Sequence, residues 1–174
     1  MKALRMATAA KATTLLARNP ALFCRVALSK LSTARKMPAL PVRRMISDIA
    51  FEYDLEGYRG TAPMYFGSYA LLIVEAMKRF LPRGGTFIDV GANIGYLSAV
   101  AAGLVGPTGE VHCFEPVPAY VERLDRLARL NPHHKIKVNA CAAGEIPGKS
   151  TIYVTEEAGQ STMVPAYKQA ADIN

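Results

Sequence analysis

Cysteine is scarce in this sequence, and its positions follow no recognisable pattern. The 174 residues include only Cys24, Cys113 and Cys141, and no two of them form a CxxC pair. An odd number of cysteines at wide spacing indicates neither a disulfide framework nor a zinc site. We therefore expect reduced thiols and no metal centre.

A long apolar run is also lacking. The best candidate, residues 69–77, contains Glu75, whereas a membrane-spanning helix needs about 20 consecutive apolar residues. We predict no spanning helix. A hydrophobic content of 51% nevertheless excludes global disorder, and the length suits one folded domain.

Acidic residues are absent from the first 45 positions. That segment holds ten Lys or Arg and carries +10, whereas the remaining 11 basic and 14 acidic residues sum to −3. The basic character therefore belongs to an N-terminal extension, residues 1–47. The rest of the chain is slightly acidic, which argues against a nucleic-acid-binding face and predicts no nucleic-acid partner.

Three interpretations of this Ala-, Leu- and Arg-rich extension remain open. Its apolar residues follow a helical spacing, so it can be a helical extension with no further role. An amphipathic, acid-poor segment is also typical of an organelle transit peptide. The third interpretation is a helix lying on anionic lipid. We expect a cytoplasmic protein, membrane-associated in the third case and organelle-targeted in the second.

Residues 48–84 are predicted to lead into the main domain through helical and irregular structure. Phe51, Tyr53 and Tyr58 alternate with polar residues, which predicts short strands or turns. A helix is expected over residues 68–80. Pro38 and Pro41 predict a linker before this lead-in.

Strands and helices alternate regularly from residue 85 onward. We predict strands over 86–90, 110–114, 135–141 and 150–155, with helices over 94–102 and 119–130 between the first three. Gly103 and Gly106-Pro107 are expected to stop the first of these helices. Such alternation predicts an α/β fold with a mainly parallel sheet built from βαβ units.

The most informative segment is the glycine-rich turn after the first of these strands. It reads Asp89-Val-Gly-Ala-Asn-Ile-Gly95, and the next strand ends on Glu115, 20 positions after Gly95. A glycine turn opening a helix, with an acid about 20 residues on, is typical of a nucleoside-cofactor site. The glycines allow a tight turn, free N–H groups of the helix start face the ligand, and the acid binds ribose hydroxyls.

Two residues distinguish this turn from the dinucleotide pattern. Asn93 occupies the second glycine position, and Asp89 ends the strand just before the turn. A carboxylate there repels a pyrophosphate but attracts a cation such as an α-ammonium group. The charge therefore favours S-adenosylmethionine over NAD. The alternative is a tight βα turn with a structural aspartate.

Taken together, these segments resemble the FkbM-type S-adenosylmethionine-dependent methyltransferases. The resemblance covers about residues 50–165 and rests on the turn, on Val111-His-Cys-Phe-Glu-Pro116, and more softly on Asn139-Ala-Cys-Ala-Ala-Gly144. It implies a Rossmann-like class I methyltransferase fold with three layers. It also implies methyl transfer to a hydroxyl oxygen of a small molecule, such as a sugar or natural product, or of a glycan.

The resemblance also implies roles for individual residues. Asp89 is expected to anchor the methionine end of the cofactor, directly or through water, and Glu115 to bind the ribose. Asn139 offers an amide near the adenine or is simply a strand residue. The remaining implied cofactor contacts are Gly91, Ala92, Asn93 and Gly95 along the backbone, with Pro116 and Ala142 near the adenine. No catalytic base and no metal ligand are identified.

One departure from the family concerns the segment after the fourth predicted strand. The family continues there with further strands, whereas this sequence has 90 residues from Gly85 to Asn174. We therefore expect a domain incomplete at the C-terminus, lacking much of the acceptor site. One alternative is therefore a non-catalytic cofactor-binding fragment of a truncated gene. A second alternative, independent of the length, is an NAD-binding oxidoreductase domain.

Overall fold

A computed structural model of the chain describes residues 19–21, 23–24, 27, 41–54, 61–65, 67–145, 148–149 and 151–152. Most of the N-terminal extension lies outside the described residues, so its targeting and membrane interpretations stay predictions. The described residues between 20 and 27 are helical.

Two strands, two helices and then a regular βαβαβ run make up the described chain. The elements are β1 (Pro41–Ile46), β2 (Ile49–Asp54), α1 (Thr61–Tyr65), α2 (Leu71–Phe80), β3 (Thr86–Val90), α3 (Tyr96–Val105), β4 (Glu110–Phe114), α4 (Pro118–Leu130) and β5 (Lys135–Asn139). None of the helices that the structure describes has the length and apolar character needed to cross a membrane.

The chain divides into two compact units, residues 1–40 with 54–71 and residues 41–53 with 72–174. In the first unit, α1 is closed by N–H groups of Gly67 and Ser68, which donate to the carbonyls of Met64 and Pro63 at 3.0 and 2.7 Å. The second unit contains the hairpin, the three-stranded sheet and the candidate site.

β3, β4 and β5 form a parallel sheet in that spatial order. Asp89 lies opposite Cys113, and Cys113 lies opposite Val138. Parallel strands need crossover connections, and α3 and α4 provide them. The α/β class with a Rossmann-like parallel arrangement, predicted from the sequence, is confirmed.

Helices α3 and α4 pack side by side on one face of this sheet. Ser98 of α3 bonds to Asp89 of β3 and to Cys113 of β4. A Cβ atom added to Gly95, just before α3, would lie 2.7 Å from Leu124 of α4. This face therefore holds the core, and its strand residues Val111 and Cys113 are almost fully buried. We call it the covered face.

The opposite face of the sheet is exposed to solvent, and we call it the open face. Ile88 and Val90 on β3 are 61% and 62% exposed. The neighbouring strands place charged groups there: Lys137 contacts Glu110 at 2.8 Å and Lys135 contacts it at 3.7 Å. Successive strand residues point to opposite faces, so the two faces alternate along one short sequence.

β1 and β2 pair as a two-stranded hairpin, which corrects two sequence predictions. Pro41 was expected in a linker, but it is the first residue of β1, where proline is tolerated because its missing N–H is not needed. Residues 41–46 were expected to belong to a helical extension, but they are a strand. The boundary predicted after residue 47 falls in the hairpin turn.

The hairpin covers the outer side of α3 and α4. The Asn131 side chain accepts from the Ala50 N–H at 2.8 Å and donates to the Ala50 carbonyl at 2.9 Å. Phe51 meets the Tyr96 ring edge to face, with centroids 6.1 Å apart. The unit thus has three layers: hairpin, helices and sheet.

The sequence predicts that Gly103 ends α3, but the helix passes through this residue, and the packing of the hairpin explains why. The helix continues to Val105, and Gly103 lies where the hairpin turn passes close by. A Cβ atom there would be 3.2 Å from atoms of Asp48 and Ser47. Gly103 therefore permits the close approach of the hairpin turn. The helix ends at Gly106, which has φ +70°, so the second predicted stop is confirmed.

Two other predicted strands differ in the structure. β5 ends at Asn139 instead of Cys141, and the exposed Cys141 lies in the following loop. The strand predicted over residues 150–155 lies mostly outside the described residues. Its described members, Thr151 and Ile152, are not in a strand.

Candidate functional site

The glycine-rich turn joins β3 to α3 at the carboxyl edge of the sheet. Gly91, Asn93 and Gly95 all have positive φ, at +76°, +53° and +84°. Glycine adopts this region freely, and asparagine is among the few other residues that tolerate it. At Gly95 the need is double, because Leu124 leaves no room for a side chain. The sequence therefore fixes a tight left-handed path at this point.

Every N–H group of the turn is already hydrogen-bonded within the protein. Gly91 and Ala92 both donate to the Phe114 carbonyl, at 2.9 and 3.1 Å. The Asn93 N–H donates to Glu115 at 2.8 Å. The Ile94 N–H donates to Asn93 Oδ1 at 2.7 Å, and the Gly95 N–H donates to the Ala92 carbonyl at 2.8 Å. We call residues 91–95 the saturated turn, because each of its backbone N–H groups donates to a protein oxygen. The expectation that N–H groups of the helix start face a ligand concerns α3 itself and stays a prediction.

Glu115 connects the saturated turn to the loop that follows β4. Its Oε2 accepts from Asn93 and its Oε1 accepts from the Val117 N–H at 3.0 Å. The side chain is almost completely buried at 4% exposure. A carboxylate has about four acceptor positions, so each oxygen keeps capacity for another donor. The acid predicted as the ribose partner therefore lies at the site and orders it.

Asp89 lies at the same edge but points into the covered face. Its Oδ2 accepts from the Ser98 hydroxyl at 2.5 Å, and the Ser98 N–H also bonds to the carboxylate. Burial raises the pKa of Asp89, and the two bonds from Ser98 oppose that rise. Asp89 thus lies at the start of α3, where the helix dipole favours an anion.

Cys113 extends this buried group onto the neighbouring strand. Its thiol donates to Ser98 Oγ at 3.2 Å. Burial raises the pKa of Cys113 to about 11. The thiol is therefore protonated near neutral pH and acts as a donor, with no nucleophilic character.

The remaining predicted residues lie around the same edge with less direct roles. The Asn139 amide donates to the Cys113 carbonyl at 3.1 Å, and the Asn139 carbonyl accepts from the Glu115 N–H at 3.1 Å. This geometry favours the strand-residue interpretation of Asn139. Pro116 is half-buried after β4, and Ala142 is exposed in the loop after β5.

Sequence reasoning missed Ser98 and the saturation of the turn. Ser98 is fully buried, and it is the only polar side chain between Leu97 and Val105. A serine in the first turn of an otherwise apolar helix was the available signal. The acceptors of the turn N–H groups could not be predicted from the sequence, because they depend on how β4 lies beside β3. No cluster of potential metal ligands occurs within the part of the chain that the structure describes.

The chain has one short, clear sequence similarity to a curated protein. It is 45% identical over 51 residues to the protein-L-isoaspartate O-methyltransferase of Ignicoccus hospitalis (strain KIN4/I). The match spans 29% of this chain and 23% of that protein, so it covers about a quarter of the relative's length. No known family profile matches the chain.

Solved structures give weaker likenesses. An rRNA-methylase from Clostridium thermocellum has a TM-score of 0.38 and 24% identity, over 41% of this chain and 40% of its own. Aeropyrum pernix fibrillarin, solved with bound S-adenosyl-L-methionine, has a TM-score of 0.35 and 17% identity, over 41% and 32%. A protein-L-isoaspartate O-methyltransferase has a TM-score of 0.38 and 18% identity, over 62% of this chain and 30% of its own. With scores this low, the fold assignment rests on the strand pairing alone.

Proposed function

We propose that the carboxyl edge of β3, β4 and β5 binds S-adenosylmethionine and that the chain is a class I S-adenosylmethionine-dependent methyltransferase, or the cofactor-binding part of one. The observation that carries this proposal is the saturated turn lying between two buried acids. The backbone N–H groups of residues 91–95 all donate to protein oxygens, and the carboxylates of Asp89 and Glu115 make the surroundings negative.

The chemistry of the ligand follows from this balance. A dinucleotide pyrophosphate needs several free N–H groups at a helix start. Here the N–H groups of the turn before the helix, residues 91–95, donate to protein oxygens, and within α3 the N–H of Ser98 donates to Asp89. S-adenosylmethionine has a ribose, an ammonium and a sulfonium but no phosphate. It therefore suits an acidic site of this kind, and an NAD-binding oxidoreductase becomes the weaker alternative.

Each candidate residue has a role consistent with its geometry. Glu115 presents the spare acceptor capacity of its two oxygens to the two ribose hydroxyls. The backbone of the saturated turn, from Gly91 to Gly95, lines the cofactor with closely approaching main chain. Pro116 and Ala142 flank the adenine. Asp89 acts on the cationic end through its charge, because Ser98 holds its carboxylate inside the fold.

Methyl transfer asks little covalent chemistry of the protein. The sulfonium of the cofactor is an activated leaving group, so the acceptor atom attacks the methyl carbon in line. The protein supplies orientation and, for a hydroxyl acceptor, a base that takes its proton. We assign no described residue to that base.

The acceptor is the finer part of the proposal. The FkbM-like motifs support a hydroxyl oxygen of a sugar, a glycan or a natural product. The names of the relatives support a second candidate, a protein or an RNA acceptor. The matched segment spans only a quarter of the curated relative, so the acceptor is a proposal for the whole protein.

Calorimetric titration tests the cofactor assignment. We expect S-adenosylhomocysteine to bind the wild-type chain and NADH to bind far more weakly. Glu115→Gln loses two charge-assisted hydrogen bonds to the ribose, which predicts roughly 10- to 100-fold weaker binding. Glu110→Gln is the matched control, because this acid begins the same strand on the open face. Tighter binding of NADH, or equal affinity of the two glutamine variants, would contradict the assignment.

Transfer of a labelled methyl group tests the acceptor. The wild-type chain is incubated with methyl-labelled S-adenosylmethionine and, separately, with glycans, small hydroxylated compounds, RNA and isoaspartyl peptides. Label in the first two supports the FkbM-like acceptor, and label in RNA or peptide supports the second candidate. Cofactor binding without label in any acceptor supports the non-catalytic alternative.

A further inference from the structure

Ser98 occupies an unusual position for a polar side chain. It lies in the first turn of α3, has no exposed surface, and faces the sheet within an otherwise apolar helix. A buried hydroxyl costs free energy unless it is hydrogen-bonded. The hydrogen bonds of the Ser98 hydroxyl therefore indicate the role of this residue.

Both hydrogen-bonding functions of the hydroxyl are directed at the edge of the candidate site. Ser98 Oγ donates to Asp89 at 2.5 Å and accepts from the Cys113 thiol at 3.2 Å. The backbone N–H of Ser98 bonds to the same carboxylate. One residue of α3 thus links β3 to β4 and holds Asp89, the acid two positions before the saturated turn.

The charge of Asp89 depends on this residue. α3 contributes no charged side chain to the surroundings of the carboxylate. From β4 the titratable group facing it is Cys113, which is neutral near pH 7. Burial disfavours the anionic carboxylate, and the bonds that favour it come from Ser98.

We propose that Ser98 is a positioning residue of the cofactor site: its hydroxyl keeps Asp89 anionic and fixed at the start of α3, where the charge attracts the cationic end of S-adenosylmethionine. This inference rests on the proposed function. Ser98 itself touches neither cofactor nor acceptor in this scheme and acts through Asp89.

The pH dependence of cofactor affinity tests the inference. Ser98→Ala removes one donor to Asp89, so the pKa of the carboxyl rises further and the anion is lost at a higher pH. We expect affinity for S-adenosylmethionine to fall relative to wild type by at least about five-fold at the acid end of a pH series, with little change at its alkaline end. Ser98→Thr keeps the hydroxyl and should restore the wild-type profile. A Ser98→Ala profile parallel to that of wild type would overturn the inference.

A double-mutant comparison separates this role from a structural one. Asp89→Asn cannot ionise, so its affinity should be weaker and nearly independent of pH. Adding Ser98→Ala to Asp89→Asn should then change the pH profile no further, because the two residues act as one unit. An equal further loss in the double variant would show that Ser98 acts independently of Asp89.

A measurement without ligand separates failure of the inference from failure of the proposed function. The carboxyl carbon of Asp89 is followed by NMR during pH titration of the free wild-type and Ser98→Ala proteins. The variant should titrate at a higher pH whether or not the cofactor binds. If the carboxyl responds but S-adenosylmethionine does not bind wild type, the proposed function fails. If the cofactor binds and the two titrations coincide, the inference fails.

Discussion

The two faces of the β3–β5 sheet use the same strands for different purposes. On the covered face, Asp89 and Cys113 are buried, and each is hydrogen-bonded to Ser98. On the open face, Glu110 is surrounded by Lys135, Lys137 and His112 at 2.8–3.7 Å, with water around them.

The difference lies in what solvent does to a polar contact. Hydrogen bonding to Lys137, and then to His112, lowers the pKa of Glu110, but exposed ion pairs are screened and contribute little to stability. The Asp89 contact forms where water is excluded, so its loss leaves a buried charge without its partner. The contribution of a polar contact to stability therefore depends more on which face of the sheet it occupies than on how many charges take part.

The largest expected effect separates a buried leucine from an exposed one. Leu124 has no exposed surface and packs at Gly95, so Leu124→Ala should lower the free energy of unfolding by about 3 kcal/mol. Leu72→Ala is the control, because Leu72 is 88% exposed and should cost less than about 0.5 kcal/mol. Urea denaturation measures both, and equal losses would contradict the assigned packing.

A matched pair of valines compares the two faces directly. Val111→Thr places a hydroxyl on the covered face without a partner and should cost about 1–3 kcal/mol. Val90→Thr makes the same change on the open face, where Val90 is 62% exposed, and should stay within about 0.5 kcal/mol of wild type. Similar losses in urea denaturation would mean that the open face is covered in solution.

A smaller effect concerns the pH dependence of stability. The pKa of Asp89 is raised in the folded protein, so the folded state binds more protons than the unfolded state while Asp89 ionises. The wild type therefore loses stability as pH rises through that range. Asp89→Asn should lose less, so its free energy of unfolding relative to wild type, measured by urea denaturation, should improve as pH rises above the ordinary pKa of an aspartate, about 3.9.

The control for this measurement has the opposite sign. Hydrogen bonding to Arg43 lowers the pKa of Glu52, against a smaller effect of burial, and Arg126 assists. Glu52 therefore contributes stability that is present above its ordinary pKa and lost as pH falls. Glu52→Gln should approach the wild type at low pH. The same direction of change in both variants would contradict the two assignments.

The smallest effect is expected at the lysines of the open face. Lys137→Ala removes the 2.8 Å contact with Glu110, but both side chains are solvated. We expect no measurable change in the urea midpoint at about 0.15 M salt, since such pairs are screened. A clear loss there, insensitive to added salt, would show that the open face is less hydrated than its exposure indicates.

Local patterns were sufficient for the strands that position the site. β3 and β4 have the predicted bounds, because each is a short segment with apolar residues between glycine- and proline-containing turns. The turn and Glu115 were also predicted, because they are separated by a short stretch of sequence within one βαβ unit. Parallel pairing then brings both to the same edge.

Long-range packing explains what the sequence did not reveal. Gly103 resembles a helix stop, and only the approach of the hairpin turn shows why it lies inside α3. Pro41 resembles a linker residue, because the strand it begins is basic and has little apolar alternation. The direction of the Asp89 side chain depends on which face α3 covers, and that choice is absent from the motif itself.

The saturated turn has a consequence for how the site behaves when empty. A loop whose backbone amides are all hydrogen-bonded keeps its conformation without a ligand. Binding of a cofactor would therefore cost little conformational entropy in this loop. Its amides should also be protected from hydrogen exchange before any cofactor is added. In this protein the glycines allow the path of the turn, and the hydrogen bonds around them hold that path without a ligand.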